Sequence, residues 1–131
     1  MSAALAVRRA VQARLSNDAD LTAMVGTRIY DRVPDRARHP YVVHGGVETL
    51  PLDGEGAVQH LFTLEVWSRA RGRREVMLIL DALTRALDAG TPALDGHRLV
   101  SLRPISTATL PDEGGGLHRG AATFRAVTEP R

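Results

Sequence analysis

The segment Phe62–Val76, F-T-L-E-V-W-S-R-A-R-G-R-R-E-V, constrains this chain more than any other. It opens in alternation, with Phe62, Leu64 and Val66 on one face and Thr63 and Glu65 on the other, the period of a half-buried strand. It closes on helical spacing, and Val76, Ile79, Leu80, Leu83 and Leu87 form one apolar stripe. Each element has one face to bury, so helix must pack on sheet. Between them stand four arginines in six residues, Arg69, Arg71, Arg73 and Arg74, with no acid among them. Cations at a helix start oppose the positive end of the macrodipole, at a cost of up to about 1 kcal/mol each. An isolated domain gains nothing from that. A helix start that meets acidic groups on another chain, or a polyanion, gains a good deal.

The rest of the chain supplies partners for this unit. Ser2 is a plausible N-cap for a first helix ending near Leu15, with Ala4, Val7, Val11 and Leu15 at helical spacing. Asn17 or Asp18 can cap a short second helix through Val25, which Gly26 stops. Thr27–Val33 reads as a short extended piece, and Pro34–Pro40 as a loop. Tyr41–Glu48 reads as a strand with a bulge or close approach at Gly45-Gly46. Leu50–Gly56 is turn-rich. Ala57–Trp67 is the longest strand, and the third helix spans about Gly72 to Ala89, ended by Gly90 and Pro92. His97–Arg103 is a strand whose far end Pro104 demotes to an edge or bulge. Pro111–Gly116 is a loop, and Leu117–Glu129 the last strand, with Ala122, Phe124 and Ala126 on one face. The order is α-α-β-β-α-β-β. Short loops between neighbouring strands imply an antiparallel sheet of about four strands with helices on one face, an α+β fold in one domain over residues 1–131.

Composition narrows the function. The chain has 131 residues and no cysteine, which excludes disulfides and thiolate metal sites. Arginine and lysine total 17 against 15 acids, a net charge of +2 that does not by itself mark a nucleic-acid binder. All the strongly basic residues are arginine, a genome-composition effect or a preference for bidentate ion pairs across interfaces. Aromatics are scarce, so stacking platforms for single strands are scarce too. Met1–Leu15 lacks the apolar region of a signal peptide, because Arg8, Arg9 and Arg14 interrupt it. No apolar run approaches the roughly 20 residues that cross a bilayer, so a cytoplasmic protein, or one assembled there, is expected.

Catalytic and metal-binding patterns are weak. His39, His44, His60, His97 and His118 show no helical metal-pair spacing. His60 and His118 lie on expected strands and would need to converge to hold zinc; ordinary surface or half-buried histidines are the plainer reading. No serine lies in G-x-S-x-G. Gly54-Glu55-Gly56 and Gly114-Gly115-Gly116 lack the strand–loop–helix setting of a phosphate cradle. Asp112-Glu113 is the one close carboxylate pair, and it sits in a loop. No enzyme activity and no cofactor is expected. What remains is arginine. Arg69, Arg71, Arg73 and Arg74, joined by Arg32, Arg36 and Arg38, form a solvated surface, a contact with another subunit or partner, or a surface for nucleic-acid phosphates. Met77 and Leu78 widen the apolar arc of the third helix, either as core or as a face toward a neighbouring subunit.

Five segments then occur in a telling order: R-I-Y-D-R-V-P (Arg28–Pro34), H-P-Y-V-V-H-G (His39–Gly45), L-E-V-W-S-R-A-R-G-R-R-E (Leu64–Glu75), L-D-G-H-R-L-V-S-L-R (Leu94–Arg103) and A-T-F-R-A-V-T-E-P (Ala122–Pro130). Together they resemble the tail-completion, or tail terminator, proteins of long-tailed phages, prophages and gene transfer agents, over nearly the whole chain. The resemblance implies a virion protein, assembled in the bacterial cytoplasm. It implies a ring, typically of six subunits, at the head-proximal end of the tail tube. Such a ring stops tube polymerisation, meets the major tail tube protein and the head connector, and passes DNA through its lumen without reading sequence. It implies no catalytic residue and no membrane. A closed ring needs one patch meeting a different patch on the next copy. Basic and acidic groups on opposite sides supply register, and exposed sheet edges can pair with the next subunit or the tube. The alternative reading is a nucleic-acid-binding α+β module that uses Arg69–Arg74. A small histidine-based enzyme is the third.

Overall fold

Ser2 caps the first helix by accepting from the Leu5 N–H at 3.2 Å. Helix α1 runs over Ala3–Ser16 and buries Ala6, Val7, Val11 and Leu15, while Ala4 stays half-buried. Asp18 caps α2, Ala19–Val25, with a carboxylate oxygen 2.9 Å from Leu21 N. Gly26 then takes φ 59°, the left-handed region where glycine carries no Cβ penalty. The remaining elements are β1 (Ile29–Tyr30), β2 (Tyr41–Pro51), β3 (Val58–Ser68), α3 (Arg74–Asp88), β4 (His97–Leu110) and β5 (His118–Pro130). The computed structural model describes residues 2–88, 90, 92–110 and 115–131.

The strands form one sheet in the order β1-β2-β3-β5-β4. Hairpins join β2 to β3 and β4 to β5, and β3 and β5 pair antiparallel along the centre, from Val58–Thr128 to Ser68–His118. The α+β class and the helices' place on one face are as expected. Among the described residues the sheet has five strands, not about four. The extra one is β1, within the Thr27–Val33 piece; it pairs parallel to Val42 and Val43, with Val42 N donating to Arg28 O at 3.0 Å. Burial of Ile29 fixes it there.

Two expected boundaries moved. β4 does not stop near Pro104 but runs to Leu110. It is an edge strand, where a missing N–H costs no central ladder bond, and a register shift between Pro104 and Ser106 absorbs the ring. Helix α3 starts at Arg74, two residues late, because Gly72 sits at φ 79°. Ala89 and residues 111–114, which include most of the expected Pro111–Gly116 loop and the Asp112-Glu113 pair, lie outside the described residues.

The core lies between the sheet and the helices. β3 contributes His60, Phe62, Leu64 and Val66; β5 contributes Ala122, Phe124 and Ala126; α3 contributes Val76, Ile79, Leu80, Leu83 and Leu87. Phe62 and Phe124 stack with ring centroids 5.4 Å apart. Each such large apolar side chain contributes about 1.5–3 kcal/mol on burial. Small residues in β5, Gly120 and Ala122, let α3 settle close to the sheet.

Among the described residues the other face carries no helix, and its centre is a polar ladder. Thr63 and Thr123 hydroxyls are 3.2 Å apart, Arg125 Nε donates to Gln59 Oε1 at 2.6 Å, and the Arg119 guanidinium lies 5.1 Å from the Trp67 ring centroid. These cross-strand pairs add modestly to sheet stability.

Candidate functional site

The arginine junction is built by its neighbours. β3 ends at Ser68, which is fully buried. Its hydroxyl donates to Glu75 Oε1 at 2.6 Å and accepts from Ala70 N at 3.0 Å. That pair ties the end of the strand to the first turn of α3 and holds the intervening loop in place. Met77 N donates to Arg73 O at 2.9 Å, so Arg73 occupies the cap position and only Arg74 of the four arginines lies within the helix. The unfavourable dipole term therefore falls on Arg73 and Arg74, and Glu75 in the first turn offsets part of it. Arg69, Arg71, Arg73 and Arg74 are all exposed. The ion pairs of the described residues include Arg8–Asp31, Arg98–Glu129 and Arg119–Glu65, and none of these takes in a junction arginine.

Residues 31–40 bring a second set to the same end. The Tyr30 and Tyr41 rings, 5.8 Å apart, hold the ends of this loop together. Arg28 Nε donates to Pro40 O at 2.9 Å, across a cis His39–Pro40 bond. Arg32, Arg36 and Arg38 are exposed on the loop, Arg36 with φ 60°. His39 lies 5.0 Å from the Tyr41 ring, and its pKa is lowered by burial and by the charge of Arg69. That influence links the two segments: β2 begins beside the place where β3 ends, with Tyr41 opposite Trp67. The sheet thus carries both arginine groups at one end.

The opposite end is acidic. The β2–β3 turn carries Asp53 and Glu55, closed by Leu52 N donating to Ala57 O at 2.9 Å, with Gly56 packed against Pro130. Asp95 precedes β4 at this end. The strands between the two ends have 11 residues, so the separation is about 35 Å. The sequence-based expectation set basic and acidic patches on opposite sides of the subunit; the structure separates them along the strands.

Met77 lies one turn into α3 and is 55% exposed, with Leu78 also exposed. Neither belongs to the core, so the core reading of that widened arc does not hold. Met77 borders a groove of about 240 Å³ shared with Leu80, Asp81 and Thr107–Thr109 of β4.

The histidines do not form a site. His60 and His118 sit at opposite ends of the β3–β5 pairing and do not converge. His60 is buried rather than at the surface, between the hydroxyls of Thr49 (3.4 Å) and Thr128 (3.0 Å), and burial lowers its pKa. His44 contacts Gln12 Oε1 at 2.8 Å, and burial, helped by Arg8, pushes its pKa down to about 4. Among the described residues no three His, Asp or Glu side chains gather as a metal set, and no helix is long and apolar enough to cross a membrane.

Two features escaped the sequence reading. One is an apolar cleft of about 210 Å³ between α1 and β2, bordered by Leu5, Val11, Val47 and Phe62. The other is the long bare edge of β4. The run Ile105–Leu110, uncharged and rich in β-branched residues, was the signal available for the second.

The sequence profile described as “Tail completion protein gp17” matches residues 9–129. The chain belongs to this tail completion family. Its members are structural proteins of phage-like tails, and the resemblance read from the five segments is thereby established. A solved structure described as “Virion of native gene transfer agent (GTA) particle” contains a similar chain, at 29% identity and a TM-score of 0.89, covering 98% of both chains. A second, described as “Structure of bacteriophage SPP1 gp17 protein”, is 22% identical with a TM-score of 0.67, covering 95% of this chain and 89% of the other, and shares the fold. A search of curated protein sequences returned no match.

Proposed function

We propose that this chain is a tail terminator: copies close into a ring that caps the tail tube, halts its growth and joins it to the head connector. The observation that carries this is the whole-chain likeness to a component of a gene transfer agent virion, which covers 98% of both chains. The expected number is six, and DNA passes through the lumen without sequence-specific contact. The work is done by fitting surfaces, with no chemical transformation and no cofactor.

The charge layout supports the docking role. Arg69, Arg71, Arg73 and Arg74, with Arg32, Arg36 and Arg38, present a basic end that suits an acidic surface on an adjoining tail part. Asp53 and Glu55 give the far end the opposite sign. A ring of such subunits has two chemically distinct rims, as a part placed between two different neighbours requires.

Deleting the gene in a particle-producing strain tests the reading. Tubes of unregulated length and heads without tails are the expected products. Tails of normal length joined to heads would refute it. The alternative, nucleic-acid binding by the arginine end, predicts retention of duplex DNA in a gel shift that weakens steeply with salt.

A further inference from the structure

The sheet has two bare edge segments, and they match each other. On one side, no strand among the described residues pairs with the outer edge of β4. Pro104 cannot donate there, and Arg98 and Arg103 guard the part before it, so the accessible stretch is Ile105–Leu110. On the other side, β1 covers β2 only at Val42 and Val43, which leaves Gly46–Pro51 bare and exposed. Each stretch has six residues. A long edge left open invites uncontrolled pairing, and among the described residues no strand covers either segment.

We infer that Ile105–Leu110 of one copy pairs antiparallel with Gly46–Pro51 of the next, so that the sheet runs unbroken from subunit to subunit. This rests on the ring reading above and names the contact that would close it. Direction agrees: within the sheet β2 and β4 run oppositely, so translating one copy sideways sets β4 antiparallel to the next β2.

Side-chain facing agrees as well. Full overlap sets Thr107 opposite Thr49 and Ala108 opposite Glu48. Thr49 and Thr107 are in register with His60 and Ala122, on the helix side, whereas Glu48 and Ala108 are in register with Leu61 and Ala121, on the bare side. A slip of one residue would break this match.

The stagger is also that of a closed sheet. Through the ladder, Glu48 is level with Leu61 and Ala108 with Glu65, four residues apart on β3. Each copy contributes four long strands, β2, β3, β5 and β4, so one residue of shear accrues per strand. With about 3.3 Å per residue and about 4.8 Å between strands, the strands tilt about 35° from the ring axis, whatever the number of copies. That falls at the usual tilt of closed barrels. Strand ends, and with them the arginine end, then point toward the rims. Met77, beside Thr107–Thr109, lies at this contact.

The chain has no cysteine, so introduced ones report cleanly. Opposed residues in antiparallel strands stand about 4.5–5.5 Å apart, within disulfide reach. In T49C/T107C, mild oxidation of assembled protein is expected to give a ladder of linked chains on a non-reducing gel. Each single variant, and E48C/T107C with its two positions on opposite faces, should give several-fold less. Sedimentation is run in parallel. Closed assemblies without a ladder, or an equal ladder from E48C/T107C, overturn the edge pairing and leave the ring standing. Monomer at every concentration overturns both.

Discussion

Gly120 lies directly beneath Val76: a Cβ on the glycine would stand 2.5 Å from Val76 Cγ1 and 2.9 Å from Leu80 Cδ1. No real Cβ tolerates such approach, so the first turn of α3 rests on the sheet only because residue 120 has no side chain. The same turn carries Arg73 and Arg74 at its start. Gly120→Ala is therefore expected to lift this end of α3 and to cost about 1–3 kcal/mol, as overpacking does. Thermal unfolding should show the loss as a lower Tm. An unchanged Tm would mean that α3 is not seated as described.

Reversing Arg73 or Arg74 to Glu tests the docking role apart from folding. Both side chains are exposed, and an acid at a helix start is favoured by a few tenths of a kcal/mol. The variants should thus keep or slightly raise the monomer's Tm while impairing joining of tails to heads. Particles assembled with either variant and carrying normal tails would remove these arginines from the contact.

Ser68→Ala probes the clasp behind the junction. It removes the donor to Glu75 and the acceptor for Ala70 N, two part-buried hydrogen bonds. A loss of about 1 kcal/mol is expected, the net worth of such bonds when the groups left behind can reach water. Denaturant unfolding measures it, and hydrogen exchange should quicken at Ala70 first.

Acid should weaken the fold through its histidines. His44 is held neutral, with its pKa lowered to about 4 against about 6.5 when unfolded. Between those values the unfolded chain binds the extra proton, so stability is fully present above pH 6.5 and is lost as pH falls toward 4. His39 and His60 are shifted in the same direction and add to the slope. His44 is partly solvated, so its share is about 1–2 kcal/mol after allowance for screening. His44→Gln should flatten the stability–pH curve in that window; an unaltered slope would contradict the assignment.

Much of the fold was legible because local chemistry and packing agree. Ser2 and Asp18 cap the helices they announce, the α3 stripe is buried throughout, and alternation in β3 and β5 gives the core rows. The misses have physical causes. β1 is two residues long, held by one parallel contact and Ile29, too brief for any periodicity. Pro104 looked like an end to β4 because its effect depends on whether the strand is central or at an edge, a property of the assembled sheet. The arginines were visible as clusters, but that Arg38 and Arg69 share one end follows from β2 beginning where β3 finishes. The match between Gly46–Pro51 and Ile105–Leu110 could be seen only once β1 was found to stop short on β2.

The central claim is a matter of place. Electron microscopy of intact particles, with this chain carrying a compact visible tag, tests it most directly. The account predicts tag density in a single ring where capsid meets tube. Density spread along the tube, at its far tip, or absent from the particle would contradict it.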